Sequence, residues 1–158
     1  MTVKVMNTLL EEFGNSISIE GLKLDDEARC NLQFDDVVLS IELGSDEKSA
    51  YIYSLLGTPP ENNLEQFYAV LLYANYMFQS TAGATLSVDL NNGGVVMVRE
   101  LPLDGLRLPE FEQVLEQFVN TTEQWMRSLQ DIDIETTTGG DAAGPGNPAG
   151  AGQHSLRV

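Results

Sequence analysis

Residues 64–101 read LEQFYAVLLYANYMFQSTAGATLSVDLNNGGVVMVREL, and a change of period inside them decides the fold. From about Glu61 to Ser80, the residues Leu64, Phe67, Tyr68, Val70, Leu71, Leu72, Tyr73, Tyr76, Met77 and Phe78 predict a helix that is apolar nearly all round. Such a helix must be covered on more than one side. In a domain of this size a second copy of the chain often supplies the outer cover. After Gly83 the period drops to two. Ala84, Leu86, Val88 and Leu90 alternate with Thr85, Ser87 and Asp89, which predicts a strand with one wet face. Asn91-Asn92-Gly93-Gly94 tolerates positive φ, so the chain turns there and returns as a strand from Val95 to Leu101.

Upstream, Val3, Met6, Leu10 and Phe13 recur at helical spacing, Leu9 widens the stripe, and Gly14 sits where a helix stops. Ile17 and Ile19 alternate briefly. Three strand-like runs follow, Cys30 to Phe34, Val37 to Leu43 and Ala50 to Leu56, with turns at Asp35-Asp36 and Gly44-Ser45-Asp46. Pro59 and Pro60 close the third strand. Downstream, Pro109 suits a first helical position, and Phe111, Val114, Leu115, Phe118, Val119, Thr122, Trp125 and Leu129 form one stripe to about Leu129. The order α-β-β-β-α-β-β-α is an α+β two-layer domain, helices on an antiparallel sheet.

The chain has 158 residues, 42% of them apolar, enough for one packed domain. Composition shifts near Thr138: residues 139–158 hold 6 of the 14 glycines, 2 of the 6 prolines and almost no large apolar side chain. The expectation is a folded domain over 1–138 and a disordered tail over 139–158. The 24 acidic and 8 basic residues leave a net charge of −16. The tail holds only Asp141 and Arg157, which cancel, so all the acidity belongs to residues 1–138. A field this negative repels phosphate backbones and anionic lipid, which argues against nucleic-acid and membrane-surface partners. No apolar run approaches the roughly 18 residues of a membrane helix. No export signal is visible from Met1 to Phe13, and the single Cys30 suits a reducing cytoplasm.

Catalytic chemistry finds little support. The only histidine, His154, lies in the expected tail, so no Ser-His or Cys-His pair is available in the domain. Cys30 falls on the apolar face of its strand and reads as core. Asp25-Asp26-Glu27, Asp35-Asp36 and Asp46-Glu47 read as solvated turn acids. Asp89-Leu90-Asn91-Asn92-Gly93 imitates a calcium loop but lacks its closing acid. Asn92-Gly93-Gly94 has no Lys-Ser/Thr after it and is no phosphate loop. No catalytic, metal or cofactor residue is assigned. Excess apolar surface in a small acidic domain points instead to binding another chain.

Leu71-Leu72-Tyr73-Ala74-Asn75-Tyr76-Met77-Phe78, followed by Gly83-Ala84-Thr85-Leu86-Ser87-Val88-Asp89 and then Val95 to Leu103 and Leu106, resembles the core of class I type III secretion chaperones, the CesT/Tir-chaperone family. The early Leu-Leu-x-x-Phe and Ile-Ser-Ile fit the same pattern, and the resemblance covers about residues 3–130. The Gly/Pro-rich end departs from it. The resemblance implies a bacterial cytoplasmic homodimer without enzymatic activity. It would hold the N-terminal region of a secreted effector as an extended chain, soluble and competent for the secretion ATPase, a further partner. Client pockets are expected at Leu10 and Phe13 on the first helix and at Leu32, Phe34 and Val38 on the strands. The dimer interface is expected at Leu72, Tyr73, Tyr76 and Met77, with Leu86 and Val88 of the hairpin. Asn75 is placed to cap its helix or to bridge to the strand. A chaperone-like protein that sequesters a regulator of secretion genes would need the same grooves, and the sequence leaves both roles open. With affinity drawn from apolar grooves and the acidity serving solubility, client binding is expected to change little with salt.

Overall fold

The computed structural model describes residues 2–138. The expected tail lies outside the described residues. Helix α1 spans Thr2–Ser16, strands β1, β2 and β3 span Arg29–Phe34, Val37–Leu43 and Ser49–Gly57, and helix α2 spans Leu64–Ala74. A 3₁₀ turn at Tyr76–Phe78 leads to β4 (Thr85–Val88), β5 (Val95–Pro102) and α3 (Leu108–Thr138). The element order is the one expected from the sequence. All pairings are antiparallel, and the strand order β1-β2-β3-β5-β4 leaves β1 and β4 at the edges.

Strand alternation sets two faces. Leu32, Leu39, Ile41, Ile52 and Met97 point inward and are buried with Met6, Leu10, Phe111 and Phe118 of the helices. Phe13 meets Phe111 edge-on, with ring centroids 5.4 Å apart at 87°, which fastens α1 to α3. Such a pair adds about 0.5–1.5 kcal/mol beyond its buried area. Arg99 donates to Gln117 Oε1 at 2.8 Å, and Trp125 donates its indole N–H to the Ser80 carbonyl at 2.8 Å, so α3 also holds β5 and the loop before β4.

Three boundaries differ from expectation. Helix α2 is shorter, because Asn63 enters it from the left-handed region (φ 59°) and Asn75 turns its side chain to a strand at the other end. Helix α3 runs to Thr138, past the last apolar residue of its stripe; no Gly or Pro interrupts it before Gly139. Gly14 does not end α1 but lies inside it. The Ile19 N–H donates to the Gly14 carbonyl at 2.7 Å, and a methyl group on Gly14 would run into the Ile19 carbonyl oxygen. Segment 17–19 is therefore a turn folded tightly on the helix, not a strand.

Gly14→Ala tests that close approach. Alanine gains about 1 kcal/mol in helix propensity, but the obstacle is backbone and cannot swing away. We expect a net loss of about 1–2 kcal/mol in urea unfolding; a gain in stability would show that the turn relaxes freely.

Candidate functional site

The two sheet edges are treated differently. At β4 the Asn75 side chain accepts the Leu86 N–H through Oδ1 (2.8 Å) and donates Nδ2–H to the Leu86 carbonyl (3.0 Å). The amide thus occupies the place of a neighbouring strand, so Asn75 bridges helix to sheet. Among the described residues β1 pairs with β2 alone. Arg29 spends its outward groups on the preceding turn: its N–H donates to Asp25 Oδ1 (2.9 Å) and its carbonyl accepts the Asp25 N–H (2.7 Å). Main-chain groups alternate in direction along an antiparallel strand, so those of Asn31 and Gln33 face the same open side. Among the described residues they have no backbone partner there.

Beside this edge runs a groove of about 340 Å³, floored by Phe13 and Ile17 of the α1 region, Phe34 of β1, and Leu115 and Val119 of α3. Asp35, Glu112, Glu116 and Glu123 line it as well. A second groove of about 580 Å³ lies on the outer sheet face, among Val38, Tyr53, Leu55, Val96 and Val98, with Asp36 and Asp89. The tight turn Phe34-Asp35-Asp36-Val37 forms the ridge between them: Asp35 lines the first groove and Asp36 the second.

The expected client residues do not form one surface. Leu10 and Leu32 are core residues, fully packed, and do not line either groove. Phe13 is also buried but presents an edge to the first groove, where Phe34 joins it. Val38 lies on the opposite face, 56% exposed, because Phe34 pairs directly with Val37 and it is Val37 that points inward. Ile17, Leu115, Val119, Leu55, Val96 and Val98 complete the grooves and were not singled out from the sequence. The outward period-two positions Val96 and Val98 carried that signal, since apolar residues there serve no core.

The expected dimer residues divide similarly. Leu72, Tyr73, Tyr76 and Met77 are exposed, up to 79% at Tyr73, and Phe78 beside them adds to the patch. Leu86 is buried in the core and Val88 is half-buried, because the inner face of β4 packs under α2. Met77 and Phe78 both have positive φ (55° and 54°). That conformation costs bulky residues roughly 1–2 kcal/mol each, and it sends their side chains outward once Asn75 has left the helix.

The Tir chaperone protein (CesT) family matches residues 8–126. The chain belongs to this family. Its fold is that of solved CesT-type assemblies. A chain of the HopA1–SchA chaperone–effector complex is 23% identical with a TM-score of 0.65, over 83% of this chain and 97% of that one. A chain of the ExsC–ExsE complex is 22% identical with a TM-score of 0.67, over 80% and 95%. One from the heterodimeric ExoU–SpcU complex of the Pseudomonas aeruginosa type III secretion system is 19% identical with a TM-score of 0.61, over 80% and 98%. At these identities the likeness is one of fold. No curated protein matches in sequence.

The CesT fold here offers binding surface rather than reactive groups. Among the described residues no three His, Cys, Asp or Glu side chains gather as metal ligands would. Cys30 is buried, and burial pushes its thiol above the ordinary value, away from thiolate chemistry. The Asp46 carboxyl lies below the usual range because the Lys48 N–H bonds it, which makes it a turn-former. The Asp89–Gly94 segment closes as a hairpin, with Gly93 at φ 74° and its N–H on the Asp89 carbonyl at 2.7 Å. No helix among the described residues is long and apolar enough to cross a membrane.

Asn75→Leu keeps the size of the side chain but leaves both Leu86 main-chain groups unmet. We expect a loss of about 1–3 kcal/mol in unfolding free energy and faster amide exchange at Leu86. Unchanged exchange there would show that the edge closes without Asn75.

Proposed function

We propose that this CesT-family protein is a type III secretion chaperone of the bacterial cytoplasm. As a homodimer it holds the N-terminal region of a secreted effector in extended form and keeps it soluble. The observation that carries the reading is the asymmetry of the sheet: Asn75 caps the middle of β4 at Leu86, whereas β1 offers unpaired main-chain groups at Asn31 and Gln33 beside an apolar groove. An extended segment adding to β1 gains main-chain hydrogen bonds, and every second side chain drops toward Phe34, Leu115 and Val119. Each large apolar side chain so buried contributes about 1.5–3 kcal/mol, which must exceed the ordering entropy of the client. The segment leaves over the Asp35-Asp36 turn toward the outer groove. The chemistry is non-covalent, in keeping with a chaperone family.

A second copy covers the α2 patch of Leu72, Tyr73, Tyr76, Met77 and Phe78, the contiguous apolar surface left exposed beside the β4 edge. Light scattering should give twice the chain mass, and Tyr73→Asp with Met77→Asp should give a folded monomer. A wild-type monomer would overturn the dimer.

Strand addition is tested at Gln33, whose outward N–H is free for a proline. Measured against the effector segment that co-purifies with the wild-type chain, Gln33→Pro should lose at least about tenfold in affinity, or ~1.4 kcal/mol, with little change in melting temperature. Full affinity would place the client elsewhere.

A further inference from the structure

Six carboxylates line the two grooves: Asp35, Glu112, Glu116 and Glu123 on one side of the β1–β2 turn, Asp36 and Asp89 on the other. Among the described residues no Lys or Arg lines either groove. Among the described residues only Glu123 has an ion-pair partner, Arg127 at 3.2 Å. Glu112 accepts the Ser16 hydroxyl at 2.6 Å, and Asp89 accepts the Asn91 N–H at 2.9 Å. Among the described residues the five other than Glu123 have no cation to answer them. The acids therefore do not merely coat the protein; they border the apolar floors.

We infer that the occupant is an extended protein segment in which apolar anchors are flanked by Lys or Arg. The inference rests on the client-binding reading above and specifies its chemistry. In an added strand, side chains alternate between the α1–α3 side and the opposite side. Apolar residues on the first side reach Phe34 and Val119, and basic residues two positions away, on that same side, reach Glu116 and Asp35 at the rim. Basic residues where the segment crosses the ridge meet Asp35 and Asp36 together. Lys and Arg suit this place because their aliphatic stems cover apolar surface while the charged end stays at the rim. An acidic segment is rejected by the same six charges. Binding is then salt-dependent, unlike the salt-insensitive binding expected from apolar grooves alone.

The test uses the full chain and three fluorescein-labelled twelve-residue peptides with serine at every second position, the positions between them alternating isoleucine with arginine, glutamine or glutamate. Fluorescence anisotropy is read at 50 mM and 500 mM salt. The arginine peptide should bind about tenfold or more tightly than the glutamine peptide at low salt, and most of that advantage should vanish at high salt. Glu116→Gln and Asp35→Asn should each weaken the arginine peptide about two- to fivefold and leave the glutamine peptide unchanged. Glu61→Gln, in the loop before α2 and outside the lining of both grooves, should change neither. Val119→Asp, shown by circular dichroism to be folded, should weaken both peptides by removing the apolar floor.

The inference is overturned if arginine and glutamine peptides bind alike and Glu116→Gln alters neither. If Val119→Asp still weakens both in that case, the groove reading stands and only the basic flank falls. If Glu61→Gln weakens the arginine peptide as much as Glu116→Gln does, and Val119→Asp does not, the attraction is the diffuse pull of a net charge of −16, and groove and flank fall together. If the groove is instead filled by a second copy, Val119→Asp yields monomer in light scattering, which also overturns it.

Discussion

The Asn75 amide decides how the rest of the molecule is used. Its two hydrogen bonds to Leu86 accompany the end of α2, occupy the β4 edge at Leu86 and precede the turn that exposes Tyr76 to Phe78. An unpaired strand edge invites any extended chain. Occupying one edge internally makes β1 the more open one, so the molecule has two unlike ends: an exposed apolar patch on α2 at one and a bare strand edge beside a groove at the other. The strained φ values at Met77 and Phe78 are the cost of that arrangement.

The grooves combine two properties that are usually kept apart. Apolar floors at Val119, Phe34, Val38 and Val98 give non-directional attraction, and they would also promote self-association. Carboxylates set at their borders repel another copy of the same acidic chain while leaving the floors uncovered. Charges of this sign also repel an acidic segment. Selectivity of this kind needs no pocket shaped to one side chain, which suits a surface that receives an extended segment by its main chain.

Much of the fold was legible along the chain because it is written in period. Alternation from Cys30 to Phe34 and Val37 to Leu43, and the helical stripes through Phe13 and Phe118, mark elements whose apolar faces must pack. The site was less legible for the same reason. Leu10, Leu32 and Phe13 have the apolar character of a client pocket, but the core claims residues on the inner face first. Val38 was legible as unusual, being apolar on a wet face, yet its separation from Phe34 depends on the pairing of Phe34 with Val37 across a two-residue turn. Ile17 and Val119 become neighbours only when α1 and α3 pack against each other.

Local pattern alone thus determined the elements, their order, the acidity and the excess of apolar surface, because periodicity and composition are properties of neighbours in sequence. Tertiary structure alone decided which apolar residues stay uncovered, which sheet edge stays open and which acids stand beside a groove. Those are outcomes of competition among distant segments for the same buried volume and the same hydrogen-bonding groups. Asn75 shows the difference: its side chain could satisfy its own helix or a strand eleven residues on, and only the packing of α2 against β4 settles which.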